Sequence, residues 1–387
     1  MSETIGSNFK TIIDVVEEFD YSTQNEVYNE NFRRWRRDKA NDYAFNFRVD
    51  KRESVFVDGK GFVRLSSEDA EKHAVSRVMY VVGVAMLIWT IIDNIVGRCV
   101  GFLLGAAGMD VNGTFFGSAL YGGGTGIITA LIITAVLKVT VPMIYVRKTL
   151  KVPVRAELMS TMNDSVELIG AIGLALAFSA VVSLPKAYST ETFQLYTFFK
   201  SVNADIRVWG QTEFIIYAVF DIVFMSLLSE MFFRGAMFAA LRQFGDLFAV
   251  IITSVTAGLL TQDIREVIPV MAISVIASVG MLRSGSLFTA ISSSIVYKMF
   301  QLAVVIAGYD DSENAFFIRN MLMLGAFLLG SAAAAFVYIK KRKPAFGLSV
   351  YESELALKGR LLTAAKSFPF IAVVLVCIMA IFIRVVY

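Results

Sequence analysis

From about residue 78 onward the chain reads as long apolar runs separated by short polar breaks, and the runs have the length of a membrane crossing. A hydrocarbon core of about 30 Å takes about 20 residues of helix. Apolar stretches of that order occupy 78–104, 124–146, 165–185, 213–240, 247–262, 267–283, 286–308, 316–339 and 361–386. They predict an all-α polytopic transmembrane bundle of about 8 to 9 spans, with the stretches at 247–262 and 267–283 short for the task. Residues 1–77 have a different texture, alternating amphipathic and polar stretches that belong in water. Short alternating runs around Asp58-Gly59-Lys60-Gly61 predict a hairpin. Ser66, Ser67, Glu68 and Asp69 then have the pattern of a capped helix start that runs on into the first span.

Composition agrees with the pattern: 56% of residues are hydrophobic and 18% charged, and the mean hydropathy is +0.63. A soluble core of this size does not need so much apolar surface. The first residues include Asp14, Glu17 and Glu18 and no continuous apolar run, so no cleavable leader is expected and the first span acts as the insertion signal. The residues from 105 to 124, with Gly122-Gly123-Gly124, read as an external loop, a broken helix lining a cavity being the alternative. Cys99 and Cys377 fall in or beside apolar segments, which predicts buried thiols and no disulfide framework.

Charge adds orientation. With nine spans, the N-terminal segment, the group Arg147, Lys148, Lys151 and Arg155, then Arg242, then Lys340, Lys341, Arg342 and Lys343 all fall on one side. The breaks at Asp110, 263–266 and 310–313 are acidic or mixed. The positive-inside rule then predicts a multi-pass protein of the cell membrane with a cytoplasmic N-terminus. The cluster Arg33, Arg34, Arg36 and Arg37 is expected to touch anionic headgroups, each charge worth about 1 kcal/mol there. A nucleic-acid partner is not expected so close to the bilayer.

Ionisable residues inside spans are costly, which singles out Asp93, Arg98, Asp221, Glu230, Arg234 and Lys298. Asp93, Arg98 and Asp221 read as span-end residues that snorkel or pair locally. Glu230 and Arg234 lie deep in Leu228-Ser229-Glu230-Met231-Phe232-Phe233-Arg234-Gly235, one turn apart on one face. They either hold the helix against its neighbours as an ion pair, or line a wet cavity in which the carboxylate activates water or binds a cation.

The segment Ser229 to Gly235 resembles the first motif of the CPBP family, the CAAX-protease and bacteriocin-processing (Abi) intramembrane proteases: two adjacent glutamates, three residues, arginine and glycine, with phenylalanine before the arginine. Glu230, Phe233, Arg234 and Gly235 match, and Ser229 replaces the first glutamate. The stretch from Val250 to Asp263 is similar in position to the family's second motif, with Thr261 or Gln262 where a histidine is expected. The run Arg283-Ser284-Gly285-Ser286-Leu287-Phe288 is similar to the entry of its last motif helix, where Ser294 and Lys298 replace histidine and asparagine. The resemblance implies a CPBP-like core at 210–308, between N-terminal transmembrane helices at 78–200 and C-terminal ones at 309–387.

In that family, glutamate and histidine are taken to activate water, while the last histidine and asparagine stabilise the oxyanion, a hydrolysis sometimes described as metal-dependent. Here those positions are Ser229, Thr261 or Gln262, Ser294 and Lys298, and the single histidine, His73, precedes the spans. A two-histidine zinc site cannot be assembled, and neither metal nor cofactor is expected. Glu230 and Arg234 are the retained motif residues, with Arg234 placed to tie up the carboxylate. Ser294 and Lys298, four apart, are the residue pair of a Ser-Lys hydrolase. The blander alternative pairs Lys298 with Glu230 or an interface and lets Ser292 to Ser294 bond back to helix carbonyls. The leading expectation is a CPBP-type membrane protein whose catalysis is lost or strongly altered and which binds a membrane protein or extended peptide. An active intramembrane endopeptidase is the second reading and a transporter the third.

Overall fold

The computed structural model describes residues 34–36, 38, 41, 43–45, 54–57, 61–64, 67–113, 120–152, 165–187, 210–307, 313–341 and 355–386. The predicted hairpin is present: β1 (Ser54–Val57) and β2 (Gly61–Arg64) pair antiparallel with Val57 opposite Gly61. Helix α1 (Ser67–Ile91) begins at the predicted start, with acidic Glu68 and Asp69 in its first turn, where the helix dipole favours negative charge. It passes through a π turn, Ile92–Val96, into α2 (Gly97–Ala106).

The glycine-rich stretch is a small ribbon and not a plain loop: β3 (Val111–Gly113) pairs antiparallel with β4 (Leu120–Gly122). Gly122 sits at φ 136, and a Cβ there would lie 2.4 Å from the Asp110 carbonyl oxygen. Only glycine meets both conditions.

Next come α3 (Gly124–Leu150) and α4 (Ser165–Ala187). One long bent helix follows, made of α5 (Gln211–Val219), a π segment Phe220–Met225, α6 (Ser226–Glu230), a second π segment Met231–Met237 and α7 (Phe238–Leu241). It closes in a 3-10 turn, Arg242–Phe244. The remaining helices are α8 (Asp246–Leu259), α9 (Ile264–Ser284), α10 (Leu287–Ala307), α11 (Glu313–Lys341), α12 (Leu357–Ala365) and α13 (Phe368–Val386). Among the described residues 7 helices are long and apolar enough to cross a membrane, or 8 if α12 and α13, bent by 70°, form one span. The segment expected at 247–262 is the 14-residue α8, about 21 Å long at 1.5 Å per residue and short of a full crossing.

Helix α11 lies along α4, with α9 and α10 also against α4. Gly173 and Gly330 permit that approach, since a Cβ on either would come within 3 Å of the other's carbonyl oxygen (2.9 and 2.5 Å). Small residues at such a seam substitute close packing for a hydrophobic driving force that lipid does not provide. The main core gathers Val78, Val82 and Met86 of α1, Phe232, Phe238 and Phe244 of the bent helix, Phe248 of α8, and Phe370 and Val373 of α13.

Residues flanking the bundle are tied to the 242–246 turn. The Gln243 side chain accepts from the Phe45 amide at 2.8 Å and donates to the Tyr43 carbonyl at 3.1 Å. The Trp35 indole and the Asn41 amide both donate to the Leu150 carbonyl, at 2.8 and 3.2 Å, satisfying an orphan acceptor at the end of α3. Arg360 of α12 bonds Glu71 of α1 at 2.6 Å and the Phe244 carbonyl at 2.5 Å.

Two sequence expectations change here. Arg242, counted as a loop charge, is buried and paired with Asp246 at 2.6 Å. Arg36, expected at lipid headgroups, is buried and donates to the Phe45 carbonyl at 3.2 Å, so its charge serves the protein's own backbone. Arg34 is exposed, whereas Arg33 and Arg37 lie outside the described residues.

Candidate functional site: an intramembrane cavity

Three local devices build the site. The run Arg283-Ser284-Gly285-Ser286 is the turn between α9 and α10: Gly285 takes φ 73, and the Ser286 hydroxyl accepts from the Phe288 amide at 3.2 Å. A residue free to adopt positive φ followed by an N-cap serine is what a tight helix-to-helix turn requires. It sets the start, and so the face, of α10. Second, π turns rotate the helix face by inserting a residue. Asp93, Asp221 and Arg234 each lie in one of the three π segments. Third, Arg234 is clamped to α9, donating to the Ser274 carbonyl at 2.7 Å, the Ser274 hydroxyl at 2.6 Å and the Ser278 hydroxyl at 3.3 Å.

Together these elements enclose a cavity of about 280 Å³. Glu230, Arg234, Ser229, Thr261, Ser294 and Lys298 all line it, so the singled-out residues from separated motifs converge. Glu230, 4% exposed, accepts from the Ser294 hydroxyl at 2.5 Å through one oxygen and meets Arg234 at 2.9 Å through the other. Lys298, for which Glu230 was one expected partner, is bonded to the Asp221 carboxylate at 3.1 Å and carbonyl at 2.9 Å. Ser294 and Lys298 are thus each engaged elsewhere. Ser293 does bond back to its own helix, at the Thr289 carbonyl; Ser294 does not.

Ser229 donates to the Met225 carbonyl of its own helix at 2.6 Å. Thr261 does the same to Gly258, also at 2.6 Å. Gln262 instead accepts from Asn94 of the first π turn at 3.1 Å. The residues present do not fit a metal: among the described residues no group of three or more His, Cys, Asp or Glu could hold one, and His73 is exposed on α1.

Part of the lining comes from residues outside the motifs. Lys138 of α3 pairs with Asp93 at 3.0 Å, both side chains are largely buried, and both line the cavity beside Trp89. Lys138 stands in the middle of an apolar run, and an intramembrane lysine was signal enough. Asp93 and Asp221, read as span-end residues, are instead partners of cavity lysines. Tyr297, donating to Glu266 at 3.0 Å, completes the polar rim.

Residues 211–300 match the family model of the type II CAAX prenyl endopeptidases described as Rce1-like. This segment is similar to that family, in line with the CPBP resemblance of the motifs it contains. The match spans the bent helix through most of α10 and leaves both flanks outside it. No curated protein and no solved structure matches the chain. The family-matched segment alone does not complete the cavity, since Trp89, Asp93 and Lys138 come from the flanking α1 to α3 region.

Proposed function

We propose that this membrane protein uses its CPBP core as a binding cavity for a segment of another membrane protein or an extended peptide, without the family's hydrolysis. The observation that carries this reading is the state of the motif carboxylate. Glu230 is held by Ser294 and Arg234, and the neighbouring position that resembles the family's first glutamate is Ser229, bonded into its own helix. A general base must reach the water it activates, directly or through one intermediary, and a carboxylate spent on an arginine and a serine is a structural joint. The walls, with Met225, Phe233, Leu260, Val270 and Ile273, suit an apolar occupant. The purified full-length chain in nanodiscs, given a fluorogenic peptide library and a prenylated CAAX peptide, is expected to bind without cleaving. Cleavage that disappears in Glu230→Ala would overturn the proposal.

One observation favours an active endopeptidase as the second reading: a serine hydroxyl donating to a buried carboxylate inside a cavity is a nucleophile-and-base geometry. In that reading Glu230 takes the Ser294 proton during attack, and Ser294→Ala abolishes turnover while binding persists. Full turnover in Ser294→Ala would remove it. The basic cluster is proposed to contact anionic lipid through Arg34 with Arg33 and Arg37, on a cytoplasmic face. If liposome binding of the full chain is unchanged when these arginines are neutralised, that contact is excluded.

A further inference from the structure

Trp89 belongs to α1, outside the family-matched residues, yet it lines the cavity and is 6% exposed. Its indole N–H is buried and has no hydrogen-bond partner among the described residues. The indole can only donate, so nothing but an acceptor can relieve it. The ring is held on its faces: Phe232 stacks at 5.6 Å, Phe233 packs at 5.8 Å, and the Lys138 ammonium stands 5.7 Å from the ring centroid. Of the carboxylates in the cavity wall, Asp93 pairs with Lys138, Asp221 with Lys298 and Glu230 with Arg234 and the Ser294 hydroxyl, and Glu266 accepts from Tyr297.

We propose that Trp89 is a positioning residue of the cavity, its indole N–H donating to a backbone carbonyl of an apolar peptide segment seated there. The proposal rests on the peptide-binding reading above. A neutral carbonyl fits better than an anion because Lys138, the cation over the Trp89 ring, is already neutralised by Asp93 at 3.0 Å. A buried donor without a partner carries its full desolvation penalty, and an occupant that accepts from it is favoured over one that does not.

The test titrates the full-length chain in nanodiscs with an end-blocked apolar hexapeptide bearing fluorescein, read by anisotropy. Trp89→Phe keeps an aromatic ring against Phe232 and Phe233 and removes the donor; it is expected to weaken binding about tenfold, while Leu329→Val, exposed on α11 and outside the cavity lining, stays within about twofold. A second measurement needs no change at Trp89. In the chain labelled with 15N-indole, the Trp89 proton resonance, identified as the one kept in both Trp35→Phe and Trp209→Phe, moves downfield when untagged hexapeptide is added. Equal binding by wild type and Trp89→Phe overturns the role of Trp89. So does weaker binding with an unmoved resonance, since the loss then comes from packing. If the wild-type chain does not bind the hexapeptide, the peptide-binding reading itself falls.

Discussion

Glu230 and Arg234 stand one turn apart on the same bent helix, joined at 2.9 Å, both almost wholly buried. Their attachments point to different helices. Glu230 is bonded by Ser294 of α10, and Arg234 bonds Ser274 and Ser278 of α9. The pair therefore ties three helices around the cavity.

Removing one member should be worse than removing both. Arg234→Met strands a buried carboxylate and is expected to cost about 3–5 kcal/mol, whereas Glu230→Gln with Arg234→Met costs markedly less, because neither charge remains to be solvated. Thermal unfolding in detergent of the two single variants and the double closes the cycle. Additive losses would contradict the pairing.

Arg360 and Glu71 make a second buried pair, from helices far apart in sequence, at 2.6 Å. Arg360→Met is expected to destabilise by about 3–5 kcal/mol and also to leave the Phe244 carbonyl without its side-chain donor. Glu71→Gln, which can still accept from Arg360, should cost less. The order of the two melting temperatures checks this.

Gln243 binds the backbone of Tyr43 and Phe45 with both ends of its amide. Gln243→Ala should loosen that attachment at a cost of about 1–3 kcal/mol and raise the rate at which a protease clips near residue 45. An unchanged digestion pattern would show that Trp35 and Asn41 suffice to hold the segment.

The side chains of Lys298 and its partner Asp221 are part-exposed, at 28% and 21%, whereas Ser294 is buried. In a background lacking Cys99 and Cys377, Lys298→Cys should react with a charged, water-soluble thiol reagent several-fold faster than Ser294→Cys. Equal rates would mean that the cavity is not graded from a wetter mouth to a drier floor.

Most of the helices were legible because a bilayer imposes one length and one composition on what crosses it. The start of α1 and the β1–β2 hairpin were legible for local reasons, a cap and an Asp-Gly turn. The candidacy of Glu230, Thr261, Ser294 and Lys298 followed from motif order, and the Glu230–Arg234 pair from their spacing; the convergence on one cavity and the partners of Ser294 and Lys298 did not. Lys298 chose Asp221, and Asp93 chose Lys138, because π turns changed which face each residue occupied, and hydropathy carries no record of such a shift. Arg242 was misread as a loop charge although Asp246 lies four residues on; one more polar residue near a helix end looks the same whether it meets water or a partner. The α8 stretch was apolar enough to span but stops after Leu259, where Gln262 takes φ 51 and Thr261 bonds back to Gly258.

The contacts of Arg360 also bear on the order of biosynthesis. The turn at 242–246 is translated long before α12, yet the Phe244 carbonyl and the Glu71 carboxylate are both met by the Arg360 guanidinium. While the later helices are still on the ribosome, the nascent family-like core lacks that guanidinium. The tie between α1 and the 242–246 turn that runs through Arg360 can therefore form only after α12 has been made.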